Sequence, residues 1–269
     1  MEEVKVDLED RSYKIKIGKN ILKNLGSYLI RLDLGSNVLI ITNPTVDRLY
    51  GSQVEENIIE AGFEVEKAII PDGEQYKTLT TAKKLYDQAV MAGLDRSSSI
   101  IALGGGVVGD IAGFIAATFM RGINFIQIPT TLLAQVDSSV GGKVAVNHKQ
   151  GKNLIGAFYQ PKLVVVDTKM LKTLENRDLK AGLSEVIKYG IIWDEAFFSF
   201  LEENQKEISQ LDNKFITYII KKSCQIKAEI VAQDEREENL RMILNYGHTV
   251  GHALEAVTNY QKYRHGEAV

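Results

Sequence analysis

The chain has 269 residues, 45% hydrophobic and 25% charged, with a formal net charge of −3 and one cysteine, Cys224. That length suits one large domain or two of ordinary size with a real core; the charge gives no global pull toward nucleic acid or membrane, and a single cysteine excludes an internal disulfide framework. The N-terminus MEEVKVDLEDRSYKI lacks an apolar signal core and the longest weakly polar run, IAGFIAATFM, is too short to span a bilayer, so a cytoplasmic protein is expected.

Val4, Val6 and Leu8, then Tyr13, Ile15 and Ile17, alternate with polar residues around the turn EDRS, which reads as a β-hairpin. VLIIT at 38–42 is a buried-type strand, followed by a helical pattern from Asp47 to Ala61 and a strand in FEVEKAIIP. Thr78 to Ala92 is helical, opened by a threonine cap and closed at Gly93. SSIIAL (98–103), NFIQIP (124–129) and KLVVVD (162–167) are further strands. Strands alternating with helices imply a mostly parallel α/β sheet. Near residue 170 the character changes: helices are expected at about 177–190, 195–206, 213–234 and 239–258, with no convincing strand. The reading is an α/β domain over 1–176 and an all-α domain over 177–269.

Residues 104–109, GGGVVG, follow a strand and open a helix, as a turn cradling a pyrophosphate does. The match is incomplete. It is not the first strand–turn–helix of the chain, and the next strand lacks the acid that would hold a ribose. Asp110 directly after the loop is also unusual, so a merely close-packed turn remains open. Further on, Asp137 and Lys143 flank a Ser-Ser-Val-Gly-Gly turn, and GKNLIGAF adds Lys152 and Asn153; small residues with clustered cations suit an anionic ligand, although each lysine alone suits a solvated surface.

Arg241, Asn245, His248, His252 and Glu255 recur at steps of 4, 3, 4 and 3 residues, the spacing of a buried helical face. Burying such groups is costly without partners, which suggests a site; the competing reading is a solvated face. Gly247 and Gly251, four apart, would admit a ligand or a neighbouring backbone. Glu185 and Lys188 share a face of an earlier helix, as a plain surface ion pair also would. A carboxylate and two imidazoles can hold a catalytic zinc with an open position. Glu185, His248, His252 and His265 are the candidates, and spacing favours His248 with His252.

The stretches PDGEQYK, ALGGGVVGDIAGFIAATFMRG, IPTTLLAQVDSSVGGKVAVNH, GKNLIGAFYQP, LSEVIKYGII, IKAEIV, LNYGHTVGHALE and HGEAV run in order from residue 71 to 269. Together they closely resemble the 3-dehydroquinate synthases, members of the sugar phosphate cyclase superfamily. The resemblance implies an α/β N-terminal Rossmann-like domain, an all-α C-terminal domain, bound NAD, and one divalent metal, zinc or alternatively cobalt. It implies a lyase of the shikimate pathway that converts 3-deoxy-D-arabino-heptulosonate 7-phosphate to 3-dehydroquinate and phosphate, in steps of transient oxidation, phosphate elimination, reduction and intramolecular aldol closure.

By the same resemblance, the metal ligands are Glu185, His248 and His265, which replaces the His248–His252 pair. NAD contacts fall to Asp72, Glu74, Lys77, Gly105, Gly106, Val107, Val108, Gly109, Asp110, Thr130, Thr131, Lys152 and Thr173, with Lys143 near both cofactor and substrate. The substrate phosphate falls to Lys143, Asn153, Asn245 and His252, with Arg121 supplied by the second subunit of a homodimer. Lys227 and Arg241 suit the substrate carboxylate, and Asp137 and Lys188 the reacting hydroxyls. Members of the family continue past HGEAV, so the helical domain is expected to be incomplete. His265 would lie where fraying is expected, and a chain ending at Val269 would release phosphate poorly. Another sugar phosphate cyclase, a metal-dependent polyol dehydrogenase and a non-catalytic fragment are the alternatives.

Overall fold

The computed structural model describes residues 1–258 and 262–269. The N-terminal hairpin pairs β1 (Glu2–Val6) with β2 (Tyr13–Gly18) in antiparallel register. After α1 (Leu25–Ile30) come β3 (Asn37–Thr42), α2 (Pro44–Val46), a wide helical turn at Asp47–Gly51, and α3 (Ser52–Glu60). Next are β4 (Glu64–Ile69), α4 (Leu79–Met91), β5 (Ser99–Gly104), α5 (Gly106–Thr118) and β6 (Asn124–Pro129). The Thr78 side chain accepts from Thr81 N–H and caps α4 as its position predicts.

A second hairpin follows, of β7 (Lys143–His148) and β8 (Gly151–Phe158), before β9 (Leu163–Asp167) returns to the sheet. The sequence suggests glycine-rich turns around Lys143, Lys152 and Asn153, where the structure has strands. Their glycines are spaced through an antiparallel ribbon, and exposed residues such as Leu154 hide the alternation that marks a half-buried strand.

The seven-stranded sheet has the order β1-β2-β9-β6-β5-β3-β4, parallel throughout except at β1–β2. β5 and β9 are buried along their whole length, which follows from helices covering both faces. The chain runs from β3 outward to β4, then crosses back to β5 on the other side of β3. That reversal opens a crevice at the carboxyl ends of β3 and β5, where open α/β sheets take ligands.

From Asn176 onward the described residues are helical or irregular: α6 (Asn176–Trp193), α7 (Glu195–Glu203), α8 (Gln205–Ser209), α9 (Asn213–Gln233), a 3-10 turn at Leu240–Asn245, α10 (His248–Val257) and α11 (His265–Ala268). These helices pack directly on the sheet edge. One core joins Val4, Val6 and Ile15 of the first hairpin to Tyr189 of α6 and Ile219 and Ile230 of α9. Among the described residues, no helix is long and apolar enough to cross a membrane.

The helix expected over 239–258 is broken. Gly247 has φ +80°, left-handed, and separates the 3-10 turn carrying Arg241 and Asn245 from α10 carrying His248, His252 and Glu255. The five polar residues therefore do not share one helical face. A Cβ on Gly247 would come within 3.0 Å of Val269 O, and one on Gly251 within 2.9 Å of Val269 Cγ2. Close approach of a neighbouring segment explains both glycines, and α11 uses that approach to sit beside α10.

Candidate active site

Most residues expected at the cofactor lie just past the carboxyl ends of the parallel strands β4, β5, β6 and β9, while Lys152 lies on β8. Gly105 is extended and caps α5, whose first turn is Gly106, Val107, Val108 and Gly109, so the free N–H groups of that turn face the crevice. Thr130 and Thr131 follow β6, Thr131 Oγ1 accepting from Ala134 N–H at 3.2 Å. Asp72 and Glu74 follow β4: Asp72 Oδ2 accepts from Thr45 Oγ1 at 3.0 Å, and Glu74 Oε1 from Asn147 Nδ2 at 2.7 Å. Thr173, past β9, has its Oγ1 2.6 Å from Tyr50 OH. Lys77 pairs with Asp110. Burial pushes the Asp110 carboxyl up and Lys77 opposes it, which gives the acid beside the loop a partner.

Beside this crevice lies a cavity of about 530 Å³, lined by Asp137, Lys143, Asn153, Lys227 and Arg241 and reaching Asp110. Lys227 occupies a core position on α9 and is 6% exposed. Its Nζ donates to Asp137 Oδ1 at 2.6 Å and to Asp137 O at 2.8 Å; Tyr189 OH donates to the same Oδ1 at 2.7 Å. Burial would raise the Asp137 carboxyl, but Lys227, Lys188 and these hydrogen bonds outweigh it and hold it well below the usual range. Burial lowers Lys227, with Asp137 opposing and Arg241 reinforcing.

Arg241 is 1% exposed. Its guanidinium donates to Gly141 O at 2.9 Å and to Glu235 O, and its Nε is buried without a hydrogen-bond partner. Lys143 Nζ meets Glu237, and Asn245 Nδ2 donates to the other oxygen of Glu237 at 2.7 Å. Burial, together with Arg241 and Lys227, brings the Lys143 ammonium down to about 8. One acidic side chain thus holds two of the groups expected at the substrate phosphate.

The histidines converge on α6. Glu185 is fully buried; Oε2 accepts from Lys188, while Oε1 is buried with no hydrogen-bond partner. That oxygen lies 3.8 Å from His248 Nε2 and 3.7 Å from His265 Nε2, and the two nitrogens are 3.2 Å apart. One donor atom from each of the three residues falls within 4.8 Å of the others. An orphaned carboxylate oxygen facing two imidazole nitrogens fits a divalent cation. A second group of donors, His252, Glu255 and His265, also meets that limit. The two groups divide His248 and His252 between them, so the pair favoured by spacing is not brought to one centre.

Burial lowers His248 and His252, aided by Lys188 and His265 respectively. Burial also opposes the charge on His265, but Glu255 and Glu185 outweigh it and raise its imidazole. The segment carrying His265 is tied down: Arg177 Nε donates to Glu267 Oε1 at 2.8 Å and Arg264 Nε lies 2.7 Å from Asp178 Oδ1. These contacts tie the segment to α6.

Arg121 is the candidate that its own chain does not bring to the site. It lies past the far end of α5, whose 13 residues span about 20 Å from the glycine loop. Lys152 of β8 reaches Glu255 of α10 at 3.1 Å. Tyr189 and Glu237 are not singled out by the sequence; Glu255 belongs to the polar stripe that it does single out, where its expected task is to orient a neighbouring imidazole. Tyr189 stands one residue after Lys188, a readable signal once α6 is known to be buried. Glu237 sits in the acidic run DEREEN, which reads as solvated surface.

The N-terminal 3-dehydroquinate synthase family model matches residues 67–181 and the C-terminal model residues 182–269. The chain belongs to the 3-dehydroquinate synthase family. It is 60% identical over 269 residues to the 3-dehydroquinate synthase of Pelotomaculum thermopropionicum, covering 100% of this chain and 72% of the relative. It is 59% identical over 266 residues to that of Desulforamulus reducens, covering 99% and 74%. Among solved structures, 2-deoxy-scyllo-inosose synthase complexed with carbaglucose-6-phosphate, NAD+ and Co2+ superposes with a TM-score of 0.92 at 31% identity, covering 99% of this chain and 73% of that one. The 2-epi-5-epi-valiolone synthase of Streptomyces hygroscopicus with NAD+ and Zn2+ bound gives 0.88 at 28% identity, covering 97% and 72%. An NADH-dependent butanol dehydrogenase from Thermotoga maritima, at 14% identity and a TM-score of 0.72, shares the fold. The 3-dehydroquinate synthase family thus accounts for both halves of the chain, the parallel sheet and the helices that follow it.

Proposed function

We propose that the protein converts 3-deoxy-D-arabino-heptulosonate 7-phosphate to 3-dehydroquinate and phosphate, as an NAD- and metal-dependent, phosphate-eliminating lyase. The observation that carries this reading is the convergence of Glu185, His248 and His265, together with a cation-lined cavity beside the crevice at the sheet's switch point. The division at residues 176 and 177 separates a part that binds the dinucleotide from a part that supplies the cation ligands.

Glu185 Oε1, His248 Nε2 and His265 Nε2 would hold the cation, and the first turn of α5 with Thr130, Thr131, Asp72 and Lys152 would hold NAD. When bound, NAD would supply a reversible hydride acceptor and the divalent cation a Lewis acid for the oxygen at the oxidised carbon. Every other task belongs to the chain. Asp137, kept ionised by Lys227 and Tyr189, accepts a hydrogen bond from a substrate hydroxyl and fixes its orientation. Lys188 stands next to Glu185 and donates to the reacting oxygen. Lys143, Asn153, Asn245 and His252 hold the phosphate, and Arg241 with Lys227 holds the carboxylate. Bringing these cations into one cavity suits a substrate with an anion at each end.

Arg121 would reach the phosphate from a second copy, making the active form a homodimer. The reading implies a cytoplasmic enzyme, since its substrate and NAD are both intracellular metabolites.

The test is an assay of the purified native protein with the heptulosonate phosphate. Phosphate and 3-dehydroquinate should form together with no net NADH absorbance, because the cofactor is restored in each turnover. Stoichiometric accumulation of NADH would instead identify a polyol dehydrogenase.

A further inference from the structure

We propose that Glu255 is the positioning residue of the metal site, acting through His265 without itself ligating the cation. The proposal rests on the reading of Glu185, His248 and His265 as ligands. Glu255 is 3% exposed on α10. Its Oε2 lies 3.3 Å from His265 Nδ1, and its Oε1 lies 3.1 Å from Lys152 Nζ. Both carboxylate oxygens therefore already have partners. On the opposite edge of the His265 ring, Nε2 faces Glu185 Oε1 at 3.7 Å and His248 Nε2 at 3.2 Å.

An imidazole can ligate through only one nitrogen while the other carries its proton. Donation of Nδ1–H to Glu255 leaves the Nε2 lone pair aimed at the buried oxygen of Glu185. The tautomer and the ring plane are then set together, the usual service of a carboxylate behind a metal-bound histidine. Lys152 comes from β8 and reaches Glu255 on α10, so the carboxylate is braced between the hairpin and the helix.

The competing arrangement is the group His252, Glu255 and His265, in which Glu255 would be a direct ligand. Occupied oxygens on Glu255 and the partnerless oxygen on Glu185 decide between them. A cation at the Glu185 side gains an unsatisfied buried acceptor, whereas one at the Glu255 side competes with a contact that His265 Nδ1 already makes.

Zinc affinity of the apo-protein, measured by competition with a chromogenic chelator, tests this directly. E255Q should bind zinc roughly 10- to 100-fold more weakly than the parent, E255D should fall between the two, and H252A should keep the parental affinity. The visible spectrum of bound cobalt(II), which reports the geometry of the donor set, should shift in E255Q and stay unchanged in H252A. Parental zinc affinity in both E255Q and E255D would overturn the proposal. Loss of zinc in H252A to the extent seen in E185A would also overturn it and make Glu255 a ligand. Failure of the parent itself to bind zinc would reject the metal reading on which the proposal stands.

Discussion

Lys227 and Asp137 form an ion pair that is closed twice: Nζ of Lys227 lies 2.6 Å from the Asp137 carboxylate and 2.8 Å from the same residue's main-chain oxygen. The lysine stands where α9 would otherwise bury an aliphatic side chain, between Ile226 and Ala228. A charge at such a place is tolerated because its partner is fixed at hydrogen-bonding distance.

Removing one member should therefore cost more than removing both. K227M or D137N alone is expected to destabilise by about 3 kcal/mol, the order seen when a buried partner is orphaned. The double variant should lose clearly less than the sum. Urea unfolding of the four proteins measures the coupling, and additive losses would contradict the pairing.

The Lys143 ammonium is brought down to about 8 by burial and by Arg241 and Lys227. Below that pH it is charged and attracts the substrate phosphate; above it the charge is lost. Since kcat/KM reports the free enzyme, kcat/KM should decline as pH rises through about 8. In K143R that alkaline limb should move out of the accessible range. A limb that stays at the same pH in K143R would assign it to another group.

Glu185 is fully buried with one oxygen unpartnered. E185A should lose stoichiometric zinc after dialysis, measured by elemental analysis, while the far-ultraviolet circular dichroism keeps its helical signal. Retention of one zinc per chain in E185A would place the cation elsewhere.

A Cβ at Gly251 would stand 2.9 Å from Val269 Cγ2 and 3.0 Å from Val269 N. G251A should push α11 away from α10, at a cost of about 1–3 kcal/mol, the usual range for overpacking. Because His265 opens α11, zinc affinity should fall along with the unfolding midpoint. A loss of stability with parental zinc affinity would show that α11 carries His265 independently of this contact.

Tyr189 OH donates its one proton to Asp137 Oδ1 at 2.7 Å, with Val136 O a second acceptor within reach at 3.2 Å. Y189F should lower stability by about 1–2 kcal/mol, since the bond to Asp137 goes to a charged group. Its kcat should fall more than its KM rises, because Asp137 loses orientation and keeps its position. An unchanged kcat would remove Tyr189 from the support of that carboxylate.

Much of the fold was legible because its signals are local. β5 and β9 read as strands from short apolar runs, and α4 from its threonine cap and closing glycine. The hairpin β7–β8 was not legible, since its glycines and exposed apolar residues mask a period of two. The break at Gly247 escaped for a related reason. The 4, 3, 4, 3 spacing of polar residues continues through it, and only the left-handed φ shows that the helix begins again at His248.

Residue types and motif order, then, were enough to indicate the family, the glycine turn at the crevice and the set of candidate donors. Spacing within one segment favoured His248 with His252, because sequence distance measures proximity only along a continuous helix. Tertiary packing brought His248 together with Glu185, 63 positions earlier, and with His265 beyond the end of α10. It did so by burying α6 under the helical layer, leaving one oxygen of Glu185 without a partner, and holding α11 against Gly247 and Gly251. It also gave Glu255 its two contacts, one from a histidine ten residues on and one from a lysine across the molecule. Those relations depend on which surfaces meet, and a linear pattern carries no measure of that.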